Sequence, residues 1–506
     1  KRQPLEKEAE AFINEEKDVK TVEDALKGAN DIIAEHIADD AEYRTWIRKA
    51  TWDYGKITSS AKKPEESSVF EMYYDFEEPI EKIAGYRILA INRGEKEGIL
   101  QVKIEPDMQK IASYLARKII TRKNPNTTKA LFAAIEDSYK RLIAPSIERD
   151  IRNELTENAS TEAIKVFGKN LAQLLMQPPI AGQVVLGWDP AFRTGCKLAV
   201  VDATGKVLDT VVIYPTAPQN KVEEAKKVVK ALIKKYGITL ISIGNGTASR
   251  ESEQIVVDML KEIKEPVQYV ITNEAGASVY SASKLATEEF PNFDVGQRSA
   301  TSIARRVQDP LAELVKIEPK AIGVGQYQHD MNQKQLTEAL GGVVEATVNK
   351  VGVDLNTASA SLLEYVSGVS KTVAKNIVAY REENGTFRNR KQLLKVAKLG
   401  PKAFEQCAGF LRVSGGDEPL DATGVHPETY KETGMLLKNL GYSTKELSKE
   451  GFKGISSKIT DYKKLSEELG IGEITLKDIV KELEKLGRAP REDLPKPILR
   501  TDVLEM

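Results

Sequence analysis

The sequence predicts a multidomain, predominantly α chain that contains one α/β domain built on a mixed sheet. Three observations lead there. Apolar residues recur at three- and four-residue spacing through roughly the first 180 positions. Short β-rich runs joined by tight turns follow, and then strands alternate with helices. After about residue 355, two successive units each read helix, glycine-bearing hairpin, helix.

At 506 residues the chain is too long for one core, and three to five domains of roughly 100–200 residues are expected. Hydrophobic residues make up 41% and charged residues 29%, the balance of a soluble globular protein with a charged surface. No window is apolar over the roughly 20 residues needed to cross a bilayer, so no membrane partner is expected. The opening KRQPLEKEAEAFINEEKDVK has no apolar h-region, so no signal peptide is visible. Cys196 and Cys407, the only cysteines, are far apart, which excludes a disulfide framework or a cysteine-rich zinc site and fits a reducing, cytoplasmic setting. With a net charge of −1, any basic footprint for a nucleic acid must be local.

Taken in order, residues 1–180 are expected to be a helical region, with TVEDALKGANDIIAEHIADD, MQKIASYLARKIITRK and the stretch from Asn126 as its clearest helices. Part of it reads as a helix-turn-helix or simply as scaffold. Residues 181–345 change pattern: QVVLGW, CKLAVV and KVLDTVVIY form a meander. Next come the helix VEEAKKVVKALIKKYG, the strand TLISIG, the helix SRESEQIVVDMLKEI and the strand VQYVIT. That order is similar to the ribonuclease-H-like fold; a Rossmann domain is disfavoured because no strand leads into G-x-G-x-x-G. Residues 346–414 hold the tandem hairpins, with turns expected at Val366-Ser367-Gly368-Val369 and Lys398-Leu399-Gly400-Pro401. Residues 415–490 read as a further helical domain, and 491–506 as an extended connector.

The hairpins carry the strongest mechanistic signal. A glycine permits a tight turn, and the following helix opens with free N–H groups and the positive end of its dipole, both suited to phosphate oxygens. Gly368, Lys371 and Lys375 in one unit, and Lys398, Gly400 and Lys402 in the other, are the candidate contacts. Between Leu355 and Val413 there are ten lysines and arginines against four acids, a local excess of six. Such contacts would ignore base sequence and depend strongly on salt. The alternative is a module used only for domain packing.

In the α/β domain Asp189 follows the first strand, Glu274 follows VQYVIT, and Asp330 precedes a helix. If the three converged, they could hold two hard cations, Mg2+ or Mn2+, for in-line attack on a phosphodiester. Against this, Asp189 could serve only an Asp-Pro turn and Glu274 only a helix cap. His329 has no histidine at ligand spacing and is expected to be a hydrogen-bonded structural residue. Arg305 and Arg306 could face nucleic acid or salt-bridge nearby acids. Trp46, Trp52 and Trp188 are expected in the core, and no Ser/His/Asp arrangement is visible.

Several long stretches resemble the hallmarks of Tex proteins: YRILAINRGEKEG, GWDPAFRTGCKLAVVD, IGNGTASRESE, TNEAGASVYSAS, QDPLAELVKIEPKAIGVGQYQHDM, VGVDLNTAS and PREDLPKPILRTDVL. The resemblance implies a helical N-terminal region with a helix-turn-helix, a YqgF-type ribonuclease-H-like domain, the tandem helix-hairpin-helix module and a further helical domain. It also implies that a C-terminal OB-fold RNA-binding domain and an N-terminal helical segment lie outside this sequence. In the YqgF pattern Asp189, Glu274 and Asp330 match the candidate active-site positions. Two residues depart from it. Asn245-Gly246 stands where a RuvC-like resolvase would place a carboxylate, which weakens metal binding, and Ala191 replaces the glycine that many relatives have after Asp-Pro. The resemblance implies a nucleic-acid-binding transcription accessory factor acting on RNA or DNA with the transcription machinery and requiring no cofactor. A metal-dependent resolvase-like nuclease is the rival.

Overall fold

In the computed structural model, residues 3–180, 182–447, 451–484 and 500 are described. Contacts divide the chain into two compact units, one of residues 1–166 with 325–333 and one of residues 167–324 with 334–506.

The first unit is mostly helical. Thr21 and Asp24 form a reciprocal capping box that starts helix Val22–Asp39, and Asp40 caps Ala41–Tyr54. Helices Gly85–Lys96, Met108–Ile119 and Thr128–Asp137 follow. Trp46 stacks on Tyr114 with ring centroids 3.8 Å apart. A π-helical stretch, Ser138–Ile143, joins Thr128–Asp137 to the long helix Ala144–Leu175. It precedes Pro145, which has no N–H and crowds the carbonyl four residues back. The unit also contains an antiparallel sheet that the sequence reading did not anticipate: β1 (Lys56–Ala61), β2 (Asp75–Pro79) and β3 (Leu100–Glu105), in the order β2-β1-β3. Leu100 and Val102 of β3 point inward while Gln101 and Lys103 face out, a half-buried alternation too short to stand out against the flanking helices.

The second unit is built around a mixed sheet in the order β6-β5-β4-β7-β8, where β4 is Val185–Asp189, β5 Cys196–Val201, β6 Val207–Ile213, β7 Leu240–Gly244 and β8 Gln268–Thr272. β4, β5 and β6 pair antiparallel as the expected meander, and β7 and β8 run parallel to β4. Every residue of β7 is buried, because helices cover both faces. On one face Leu186, Trp188, Ile241, Ile243 and Tyr269 pack with Val229 and Ile233 of helix Val222–Tyr236 and Val256 of helix Ser249–Leu260. On the other, Val185, Leu240 and Val270 meet Ala304 and Val307 of helix Val295–Gln308. That helix lies so close to β4 that a Cβ on Gly187 would fall 2.1 Å from the Ala300 carbonyl oxygen.

Beyond helix Gln333–Val351, a short parallel pair, β9 (Val353–Asp354) with β10 (Leu411–Arg412), ties the two ends of the hairpin module together. Leu420, Leu436, Phe452, Ile455, Leu476 and Leu483 form a separate core for the helical segment that follows. The expected connector 491–506 lies outside the described residues, apart from Arg500, whose backbone bridges Tyr269 on the edge strand β8. Among the described residues no helix is long and apolar enough to cross a membrane.

Gly187→Val tests the seating of the Val295–Gln308 helix. Overpacking against a backbone carbonyl should cost about 1–3 kcal/mol or more, read as a lowered denaturation midpoint for the sheet's transition. An unchanged midpoint would mean that the helix does not rest on β4.

Candidate functional site

The parallel register aligns the C-terminal ends of the central strands: Trp188 lies opposite Ile243, and Gly244 opposite Thr272. Asp189 and the loop carrying Glu274 therefore emerge at the same edge of the sheet, where open α/β sheets place their sites. Burial raises the Asp189 carboxyl above its ordinary range, opposed by Lys197, its cross-strand partner on β5. Burial, and secondarily the charge of Asp189, push Glu274 up to about 7, with Arg306 opposing.

The Gly244-Asn245-Gly246 turn shapes this edge. A Cβ on Gly244 would lie 2.0 Å from Glu274 Oε2, and one on Gly246 1.7 Å from Oε1. Asn245 Oδ1 accepts the Glu274 amide at 3.1 Å. The Glu274 carboxylate thus fills the space over the end of β7 where a side chain at 244 or 246 would stand, so the departure at Asn245-Gly246 is part of how Glu274 is seated.

Asp330 belongs to the other compact unit, where Arg93 and Lys96 neutralise it at 3.1 and 3.5 Å. Among the described residues no group of three or more His, Cys, Asp or Glu side chains is placed to hold a metal ion. Within the second unit the carboxylates brought together are Asp189 and Glu274. Within that unit the pair alone offers fewer carboxylates than a two-cation site ordinarily uses.

Arg306 is 4% exposed and faces inward, its Nη1 donating to the carbonyls of Asn273 and Ala275 at 2.6 and 2.8 Å. It fixes the loop that carries Glu274. Arg305 pairs with Glu289 at 3.2 Å and donates to the Gly205 carbonyl at 2.9 Å. Trp188 is buried as expected. His329 is exposed and has no hydrogen-bond partner among the described residues, unlike the structural histidine that was expected.

The two hairpins of the 346–414 module match each other in a register different from the one read off the glycines. In the first, Val369 donates to the Val366 carbonyl at 3.0 Å, Gly368 has φ +83°, and Ser370 caps helix Lys371–Asn384. In the second, Leu399 donates to Val396 at 3.2 Å, Lys398 has φ +65°, and Gly400 caps helix Pro401–Cys407 with extended backbone at φ −88°. The left-handed position is therefore Gly368 in one turn and Lys398 in the other. Gly400 corresponds to Ser370, and the second turn is Val396-Ala397-Lys398-Leu399. The only nearby glycine, Gly400, is the helix cap and not the turn residue that its type suggests.

Gly368 is packed: a Cβ there would lie 2.8 Å from Gln406 Cβ. The turn amides of Ser367 and Val369 are occupied by Asn349 Oδ1 and the Val366 carbonyl. The amides of Lys371 and Thr372, at the exposed start of the next helix, have no partner among the described residues. The open donors thus sit one step beyond the glycine.

The local basic charges differ in exposure and in partners. Arg390 and Arg412 are buried, at 1% and 6% exposure, and Arg381 donates to the carbonyls of Leu355 and Ala358 at 2.8 and 2.9 Å. Among the described residues the exposed, unpaired charges are Lys371, Lys375, Lys391, Lys395, Lys398 and Lys402, while the exposed Arg388 pairs with Asp417 at 3.2 Å. Lys391 and Lys395 were not singled out from the sequence.

A further hairpin lies in the segment read simply as helical. Helix Tyr462–Leu469 ends at Gly470, φ +73°, and Glu473–Glu484 follows. Its first turn presents Glu473 and the 78% exposed Ile474, a start unsuited to phosphate.

The raised carboxyl sets a pH dependence. Folded Glu274 keeps its proton to about 7, whereas the ordinary value is 4.5. Its contribution to stability is therefore complete below about pH 4.5 and lost as pH rises through about 7. Asp189→Asn should lower the Glu274 midpoint in a carboxyl-detected NMR titration, and Glu274→Gln should flatten the stability profile between those values. A midpoint unmoved by Asp189→Asn would mean that the two groups do not sense each other.

Four family models match the chain in succession: a Tex central region-like model at residues 1–167, a Tex protein YqgF-like domain at 183–308, a helix-hairpin-helix motif at 348–412 and an HHH domain at 418–491. The chain is similar to the uncharacterized protein YdcI of Bacillus subtilis, 56% identical over 98% of this chain and 70% of that protein. It is similar to the transcriptional accessory protein Tex of Neisseria gonorrhoeae, 45% identical over 97% of this chain and 64% of that protein. It is also similar to the human S1 RNA-binding domain-containing protein 1, 42% identical over 79% of this chain and 42% of that protein. The chain spans about two thirds of the length of these bacterial relatives. The succession of models and the extent of identity show that the chain belongs to the Tex family.

Proposed function

We propose that this chain is the nucleic-acid-binding core of a transcription accessory factor, holding RNA or DNA by its backbone without regard to sequence. The carrying observation is the set of six exposed, unpaired lysines on the paired hairpins, beside the open amides of Lys371 and Thr372. Lys398 adds support. A lysine in left-handed backbone costs about 1 kcal/mol relative to glycine, and it places an ammonium at the tip of the turn. Association with the transcription machinery is proposed from the name borne by the Neisseria relative. In the whole protein, linked modules that each bind weakly would gain affinity through their linkage. Binding requires no cofactor, and a cytoplasmic location accords with this role.

Lys371→Glu combined with Lys402→Glu should weaken binding to single strands and duplexes alike and flatten the slope of log affinity against log salt by about 2 or more. Unchanged affinity in a folded double variant would remove the hairpins as the principal contact. Lys398→Gly separates stability from binding: it should raise stability by up to about 1 kcal/mol while weakening nucleic-acid retention.

A second reading, metal-dependent cleavage of the resolvase type, draws on the coupled pair Asp189 and Glu274. Incubation with branched DNA, single strands and RNA in Mg2+ or Mn2+ decides it. Cleavage that disappears in Asp189→Asn would replace the binding-only reading; intact substrates throughout would leave that reading in place.

A further inference from the structure

Residues 108–135 carry Lys110, Arg117, Lys118, Arg122, Lys123 and Lys129 and no acid, in a chain where 75 of 506 residues are Asp or Glu. The stretch spans helix Met108–Ile119, a turn, and most of helix Thr128–Asp137 in the first compact unit. Two of the cations are committed: Lys118 pairs with Glu42 at 3.0 Å, and the Lys110 ammonium sits 3.2 Å above the Tyr54 ring. The other four, Arg117, Arg122, Lys123 and Lys129, are exposed and have no acidic partner among the described residues. Arg117 donates only to the Ser113 carbonyl of its own helix, at 3.3 Å.

The turn that presents these charges is well tied. The Thr127 and Thr128 amides donate to the Asn124 carbonyl at 3.2 and 2.9 Å. The Asn124 amide donates to Thr128 Oγ1, and the Asn126 amide to Asn124 Oδ1, both at 2.8 Å. Pro125 restricts the backbone further. The cations therefore project from an ordered backbone, which lowers the entropy lost when a ligand fixes them. Several like charges on one turn, without a counter-ion, suit a ligand that carries several anionic groups in a row better than one carrying a single group.

We infer that the 121–129 turn, with Arg117, is a second contact for nucleic-acid backbone, carried by the first compact unit and distinct from the hairpins. This rests on the reading of the chain as a nucleic-acid binder and adds a site to it. Exposed side chains alone make the contact, so their removal leaves the fold intact.

The test uses the full 506-residue chain and the triple variant Arg122→Ser, Lys123→Ser, Lys129→Ser. Fluorescence anisotropy follows a labelled 20-nucleotide single strand and a 20-base-pair duplex from about 50 to 200 mM salt. Loss of three phosphate contacts should weaken binding on the order of tenfold at the lowest salt and reduce the salt slope by about 2 to 3. Parent-like affinity and slope in the triple variant would overturn the inference, even if Lys371→Glu with Lys402→Glu abolishes binding. The reverse pattern, loss in the triple variant but not in the hairpin variant, would uphold it while removing the hairpins as the main contact. A labelled polyglutamate of matched charge is the competing probe. If it bound more tightly than either oligonucleotide, and the triple variant lost that binding, the turn would belong to an acidic protein partner and the inference would fall.

Discussion

Guanidinium groups donating to backbone carbonyls, those of Arg298, Arg306 and Arg390 buried and that of Arg381 half-buried, fasten the loops of the second unit. Arg298 fastens the Ser281 and Phe290 carbonyls, Arg306 those of Asn273 and Ala275, and Arg381 those of Leu355 and Ala358. Arg390, the most enclosed, donates to the Leu411, Thr423 and Val425 carbonyls and to the Tyr430 hydroxyl. It thereby joins the second hairpin to the segment that follows. A guanidinium has five donors and no acceptor, so it can bridge several loop carbonyls at once, and leaving such carbonyls unmet in the interior costs about 1–3 kcal/mol each. These four arginines are thus spent on architecture, and the hairpins' outward unpaired positive charge is left to lysine.

That division bears on function. An ammonium on a flexible stem is a point charge that adapts to phosphates at varied positions, as sequence-independent binding requires. The sheet edge has the opposite character. Asp189 and Glu274 are partly desolvated, seated by a glycine turn and by a loop that Arg306 pins, so the pair is fixed and one member is held near neutral pH. A seated carboxyl pair and an exposed cationic surface suit different tasks. In this chain the abundance of exposed, unpaired lysine puts the weight on the second.

Much of the fold was legible in the sequence because periodicity reports burial directly. The meander and the parallel crossovers followed from uniformly apolar runs such as TLISIG, whose strand β7 is buried throughout. The small sheet β2-β1-β3 was not legible, since strands of five or six residues with partial alternation carry little signal between long helices. The site was legible by residue type and less so by geometry. Glycines marked the hairpins, but only coordinates distinguish a left-handed turn position from an extended cap, so Lys398 and Gly400 exchanged roles. Charge counting found the basic module but could not separate buried arginine from exposed lysine. Asp330 matches the YqgF pattern alongside Asp189 and Glu274, and its ion-pair partners are Arg93 and Lys96 in the first unit. The Gly244-Asn245-Gly246 signal was visible and was read only as a missing carboxylate.

Counter-ion-free lysines at the paired hairpins are the surface proposed to meet a polyanionic backbone. Lysine-selective acylation followed by mass spectrometry, with and without a single-stranded oligonucleotide at low salt, tests it most directly. Lys371, Lys398 and Lys402 should become protected on binding, while Lys234, exposed on the helix Val222–Tyr236, reacts at an unchanged rate. Equal reactivity of all four in the bound and free states would contradict the account.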